Sequence, residues 1–228
     1  MPFSRIPASR STLRRGLRGL AHTALMTASL LGAAHAAPVA DPAGDFLATF
    51  AGQQSSTDLD ILSVSAQYME ASDTFILSST SAGDIGLTPK GLFVWGVNRG
   101  TGTAGFAANG LPGVLFDLVV LLRPDGTGSV GGTALPSGSV TVSGKTLTAS
   151  ISGALLPSKG FAKQDYTWNL WPRDAASSGF GAIADFAPNN SNIATTLAVP
   201  EPGTYALMAA GLLACGLVRR AGKRQLGC

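Results

Sequence analysis

Histidine and cysteine are nearly missing from this chain, and the few present lie at its ends. The 228 residues contain two of each. His22 and His35 precede residue 37, while Cys215 and Cys228 follow residue 214. The long middle segment therefore excludes disulfide staples, zinc sites built from imidazole and thiolate, and nucleophile systems of the Ser-His-Asp or Cys-His kind. Glutamate is almost as scarce. Glu70 is the only one before Glu201, so paired-glutamate glycosidase machinery is missing as well. Charge is low throughout, at 13% of residues, about half of the ~25% usual in soluble domains. With 45% hydrophobic residues and 29 glycines, the composition is not that of a disordered chain, which needs low hydrophobicity and high net charge.

The formal charge of +3 suggests a nucleic-acid partner until the charges are located. Arg5, Arg10, Arg14, Arg15 and Arg18 lie before residue 20, and Arg219, Arg220, Lys223 and Arg224 lie after residue 218. Residues 37–201 keep seven basic residues against all 13 acidic ones, a formal charge of −6. Such a body repels a phosphate backbone, so no nucleic-acid partner is expected.

Residues 1–36 have the three parts of a secretory signal peptide. The arginines form its basic region, residues 20–34 its apolar region, and Ala34-His35-Ala36 its small-x-small site. Cleavage is expected after Ala36, and export machinery is the implied partner. The alternative, an uncleaved anchor, is disfavoured because the apolar run falls short of the ~20 residues a span needs.

The C-terminal end has a matching three-part order. Val199-Pro200-Glu201-Pro202-Gly203 precedes an apolar run over 205–218, and Arg219, Arg220, Lys223 and Arg224 follow. Two prolines favour an extended backbone, which suits the cleft of a processing protease. A helix over 205–218 spans about 21 Å at ~1.5 Å per residue, less than a ~30 Å bilayer core. The basic residues hold that end on the cytoplasmic side. This order, carried by Pro200-Glu201-Pro202 and covering only residues 199–224, resembles the PEP-CTERM sorting signal of Gram-negative bacteria. The resemblance implies an inner-membrane precursor, cleavage near Pro200–Pro202 by an exosortase-type membrane transpeptidase, and a body released or attached at the cell surface. An ordinary tail anchor is the alternative.

Between the two signals the pattern is all-β. Short β-rich runs bounded by Gly, Pro, Asp and Ser occur at 59–68, 74–80, 91–97, 114–122, 140–142, 146–151 and 166–171. Turns are expected at Glu70–Asp73, at Arg123-Pro124-Asp125-Gly126 and at Ser143-Gly144-Lys145. Pro172 is expected to stop the last run, and a short helix or turn is placed near 155–162. The run 91–97 is almost continuously apolar, as in a strand buried on both faces. Seven or eight strands at this spacing predict one β-sandwich or jelly roll over 37–187. Residues 188–199 read as a flexible spacer, and 200–224 as the sorting signal with its transmembrane helix. The expected core is Ile61, Val64, Phe75, Leu77, Phe93, Trp95, Leu115, Leu118, Val120, Leu122, Ile151, Trp168 and Leu170.

Three constellations are candidates for chemistry. Gly100-Thr101-Gly102-Thr103-Ala104-Gly105 has dinucleotide-loop spacing, but no helix can start after it, so it is read as an inter-strand loop. Asp41, Asp45, Asp58 and Asp60 gather hard oxygen ligands, and Asp58-x-Asp60 places two carboxylates on one strand face. That suggests a calcium staple at Asp58, Asp60 and Asp45, against the alternative of turn-forming, solvated aspartates. No other cofactor is expected. Finally, alternation over 166–171 puts Trp168 in the core and Trp171 on the other face, with Asn98 and Arg99 as polar groups that could bind sugar hydroxyls. The stretch 93–128 resembles DOMON-type and carbohydrate-binding sandwiches. The expected role is a non-enzymatic structural or adhesive surface protein associated with exopolysaccharide. A carbohydrate-binding module is the alternative, and a carboxylate hydrolase with two Asp ~5–9.5 Å apart is the third reading.

Overall fold

Alternation of apolar and hydroxyl side chains shapes one sheet, and continuous apolarity shapes the other. The computed structural model describes residues 37–198, together with residues 208 and 210–212, which are helical. In chain order the strands are Val39–Ala40 (β1), Ile61–Met69 (β2), Thr74–Ser81 (β3), Gly91–Asn98 (β4), Leu118–Leu122 (β5), Gly128–Val130 (β6), Thr133–Ala134 (β7), Val140–Ser143 (β8), Thr146–Ser152 (β9), Thr167–Asp174 (β10), Ile193–Ala194 (β11) and Thr196–Leu197 (β12). Within 37–198 the helical segments are three-residue 3₁₀ turns. Among the described residues no helix is long and apolar enough to cross a membrane.

The first sheet runs β1-β2-β3-β9-β8, and the second runs β11-β10-β4-β5-β6-β7. Their inner faces share one core. Phe75 and Leu77 of β3 and Leu147 and Ile151 of β9 meet Phe93 and Trp95 of β4, Val120 and Leu122 of β5, and Trp168 and Leu170 of β10. Each such side chain contributes roughly 1.5–3 kcal/mol on burial before conformational entropy is subtracted. The all-β, two-sheet expectation is therefore met. Two residues of the expected core are only partly buried: Leu118 packs against the core from the start of β5, and Leu115 lies in 114–117, which is not strand. Tyr166, stacked on Phe75 with ring centroids 5.5 Å apart, takes a core place instead.

The second sheet is covered on its outer face too, as the apolar run of β4 requires. Leu47, Phe106, Leu111, Val114, Phe116, Phe180, Ile183 and Phe186 pack there against Val94 and Trp171. Pro172 does not stop β10, which continues to Asp174 and pairs Pro172 with Phe93. Its carbonyl accepts from the Ala184 N–H. The missing N–H therefore faces the irregular segment 183–187, where no ladder bond is lost.

The expected spacer 188–199 is instead built into the sandwich as far as the description extends. β11 pairs with β10, and β12 pairs in parallel with β2 at Thr196↔Gln67 and Leu197↔Tyr68. Thr195, at the crossover, donates its hydroxyl to the Tyr166 carbonyl (2.6 Å) and accepts from Trp168 Nε1 (2.9 Å). The Asn192 side chain bonds both the N–H and the carbonyl of Leu115. A Ser/Asn/Ala-rich composition reads as linker, yet these short polar side chains reach buried backbone groups that need partners. β1 lies on the same side of β2, at Val39↔Val64 and Ala40↔Ser63. β1 and β12 thus lie along one edge of the first sheet, with Val39 and Leu197 opposite Val64 and Tyr68, roughly 13 Å apart along that edge at ~3.3 Å per residue.

Candidate functional site

The aspartates single out one end of the sandwich. Asp41 follows β1, and its N–H is held by the Leu62 carbonyl. The chain then turns through Gly44 at φ 77, a left-handed conformation that glycine adopts without steric cost. The Gly44 N–H donates to both carboxylate oxygens of Asp60, 3.0 Å each. Asp45 comes next, with Oδ2 accepting from Asn189 Nδ2 at 2.8 Å. Leu47 bonds the Ala184 carbonyl, which brings in Asp185. Its Oδ2 accepts from the Ile61 N–H (3.0 Å) and its Oδ1 from the Phe186 N–H (2.6 Å).

One carboxylate oxygen from each of Asp41, Asp45 and Asp185 lies within 4.8 Å of the other two. Asp185 is 1% exposed and Asp41 9%. Burial, together with the charges of Asp45 and Asp60, raises the Asp41 carboxyl to about 7. Burial raises Asp185 to about 8, with the Ile61 N–H opposing and the charges of Asp41 and Asp45 adding. Asp60 is also raised, by burial and the charge of Asp45, against the Gly44 N–H.

Asp58 does not belong to this group. It is fully buried and serves a different segment: Oδ2 accepts the Thr88 N–H (2.8 Å) and Oδ1 the Thr88 hydroxyl (2.6 Å). The expected pairing with Asp60 fails because Thr57–Leu59 is a 3₁₀ turn and β2 starts only at Ile61. Two-residue alternation does not apply before a strand begins. Asp45 instead converges with Asp41 and Asp185, and Asp60 is tied to the same loop through the Gly44 N–H.

Trp171 is not exposed. The alternation places it on the outer face of the second sheet as expected, yet that face is covered and Trp171 is 2% exposed. Phe106 meets it edge-on at 5.1 Å, and Phe116 lies at 5.0 Å. Gly96 makes room, since a Cβ there would stand 2.5 Å from the indole. Asn98 and Arg99 are also turned to structure. Asn98 Oδ1 accepts from the N–H groups of Gly100 and Gly102. Arg99 Nε pairs with Asp117 Oδ1 at 2.6 Å, and its Nη1 donates to the Pro157 carbonyl at 3.1 Å. The Gly100–Gly105 segment is a loop, followed only by the Ala107–Asn109 3₁₀ turn.

The outer face of the first sheet is solvent-facing and different in kind. β2, β3, β8 and β9 contain no charged residue. Cross-strand register aligns Ser65, Ser78, Thr148 and Thr141 in one row and Ser63, Thr80, Thr146 and Ser143 in the next. A groove of about 380 Å³ crosses this face between Pro38 and Thr196, floored by Ser65, Gln67, Ile76, Ser78 and Thr148. Ser78 Oγ and Thr148 Oγ1 lie 3.4 Å apart across it.

Sequence reasoning missed Asp185 and this hydroxyl face. Asp185 carries one signal, an acid set inside the apolar run Ile183–Ala187. The face was legible as the Ser/Thr half of each alternating strand, once the other half is assigned to the core. Ala34, Ala36, Pro200, Glu201, Pro202, Arg219, Arg220, Lys223 and Arg224 lie outside the described residues.

Residues 198–224 match the PEP-CTERM protein-sorting motif. No curated protein matches the chain at a significant level.

Proposed function

We propose, from the premise that this chain carries a PEP-CTERM sorting signal and is exported as an exosortase substrate, that its body is a non-enzymatic structural or adhesive component of the cell-surface matrix. In this reading it contacts neutral polysaccharide through the hydroxyl face of the first sheet. The observation that carries the reading is the uncharged Ser/Thr lattice across β2, β3, β9 and β8 with its open groove. Strands ~4.8 Å apart and side chains repeating every ~6.7 Å along each strand offer donors and acceptors at regular spacing. They do so without charges that would have to be desolvated. The solvated face of an antiparallel sheet is polar, and this one presents only neutral hydroxyl, amide and apolar groups.

The aromatic carbohydrate site loses its support, since Trp171, Asn98 and Arg99 are all buried by the fold. A hydrolase reading is weakened as well. The body offers no glutamate pair, and the carboxylates that converge, Asp41, Asp45 and Asp185, are largely buried and not set in a cleft. In the precursor, the signal peptide and the sorting helix hold the body at the inner membrane of a Gram-negative cell.

The test is retention of the exported protein on exopolysaccharide purified from the producing cells. Wild type should be retained, and Thr148→Lys, which places a charge in the groove without touching the core, should elute early. Equal elution of both, or no retention of either, would contradict the polysaccharide role.

A further inference from the structure

The carboxylate group at the β1–β2 end meets no cation among the described residues. Ion pairs among the described residues join Arg99 to Asp117 and Lys163 to Asp73, and neither involves this group. Asp41 Oδ2 and Asp45 Oδ1 are buried atoms with no hydrogen-bond partner. Leaving such an oxygen unpaired in the interior costs about 1–3 kcal/mol, more when it is charged. Asp41 is nine-tenths buried, so water cannot readily satisfy it. The cost is imposed by three separate parts of the chain: the loop after β1, the start of β2 through Asp60, and the segment after β10.

We infer that Asp41, Asp45 and Asp185 form a calcium site that staples the N-terminal loop of the body to the segment following β10. The ligand chemistry points to this ion. Three carboxylates provide up to six hard oxygens, and Ca²⁺ takes 6–8 at ~2.3–2.6 Å. Any two oxygens around such an ion are at most about 4.6–5.2 Å apart, and the three converging oxygens fall within 4.8 Å. Magnesium keeps most of its waters and favours one or two carboxylates, while zinc favours nitrogen and sulfur, which the body lacks. Asp60 is a positioning residue: it holds Gly44, the turn that places Asp41 and Asp45 on either side of the ion. The site is independent of how the tail is processed and of any polysaccharide contact. It resembles a disulfide in purpose, a cross-link between distant segments in a chain without cysteines to spare.

The experiment uses the full-length chain, purified in detergent and stripped with a chelator, then titrated with CaCl₂ alone by calorimetry and thermal unfolding. One calcium per chain is expected. The midpoint should rise about 5–10 °C at a hundredfold excess over Kd. Asp45→Asn and Asp41→Asn each remove a like charge, so chelated variants should unfold at or above chelated wild type while losing the calcium-induced rise. Asp58→Asn should destabilise the protein yet keep that rise. The proposal is overturned by a wild type that neither binds nor responds to calcium up to about 10 mM, where extracellular modules are saturated. It is equally overturned by an Asp45→Asn variant with the full rise, or by an equal response to MgCl₂.

Discussion

Replacing Asp117 by alanine probes the buried ion pair that fastens the β4–β5 connection. Asp117 and Arg99 side chains are 9% and 6% exposed. Beyond the 2.6 Å bond from Arg99 Nε, Asp117 Oδ2 accepts from the N–H groups of Arg99 (2.9 Å) and Thr101 (3.2 Å) and from the Thr101 hydroxyl (3.2 Å). Removing the carboxylate leaves a guanidinium in the interior with only the Pro157 carbonyl as a protein partner among the described residues. Breaking one side of a buried pair costs about 3–5 kcal/mol. For a domain of this length that lowers the unfolding midpoint by about 6–20 °C, read by circular dichroism near 218 nm. Arg99→Met in the same chain should recover only part of the loss, because the N–H groups of Arg99 and Thr101 remain without the acceptor. The pH dependence has a definite sign. Burial pushes the Asp117 carboxyl up, but the Arg99 guanidinium and the two backbone N–H groups outweigh it, and its pKa lies below the ordinary value. Its contribution is therefore full above the unfolded pKa of about 3.9 and is lost as pH falls through the lowered folded value. Wild type and Asp117→Ala should converge only below about pH 4. A loss under about 1 kcal/mol at pH 7, the range of a surface pair, would refute the reasoning.

Two other substitutions test packing directly. Gly96→Ala drives a methyl group into Trp171 and toward Phe116, with contacts of 2.5 and 3.0 Å. It should cost about 1–3 kcal/mol and blue-shift or broaden the tryptophan emission, whereas an unchanged midpoint would mean the outer cluster is loose. Thr195→Val strands Trp168 Nε1, while the Tyr166 carbonyl keeps the Thr195 N–H as its donor, a loss of about 1–3 kcal/mol in chemical denaturation. A neutral result would show that β11 and β12 add nothing to the body.

Strands, turns and most of the inner core are readable in the sequence because they depend on local rules. Alternation marks β3 and β9, and the Arg123–Gly126 turn is built as its residues suggest, with Asp125 Oδ1 accepting from the Thr127 N–H. What is not readable depends on distant segments. Trp171 alternates correctly, but nothing adjacent in sequence says that Phe106, Phe116 and Phe186 will cover it. Asp58 and Asp60 share a spacing, yet a single 3₁₀ turn separates their environments. Asp185 meets Asp41 only because the chain after β10 folds back beside the first loop. Residues 188–198 look like linker in composition, and become structure because their amides and hydroxyls complete hydrogen bonds begun elsewhere.

Removal of both terminal signals from the exported β-sandwich is read by intact-mass spectrometry of protein recovered from the cell exterior. The exported form should have its N-terminus at Ala37 and its C-terminus near Pro200–Pro202, with Glu201→Ala abolishing the second cut. An exported form that still contains Val218, or a Glu201→Ala variant processed like wild type, would contradict it.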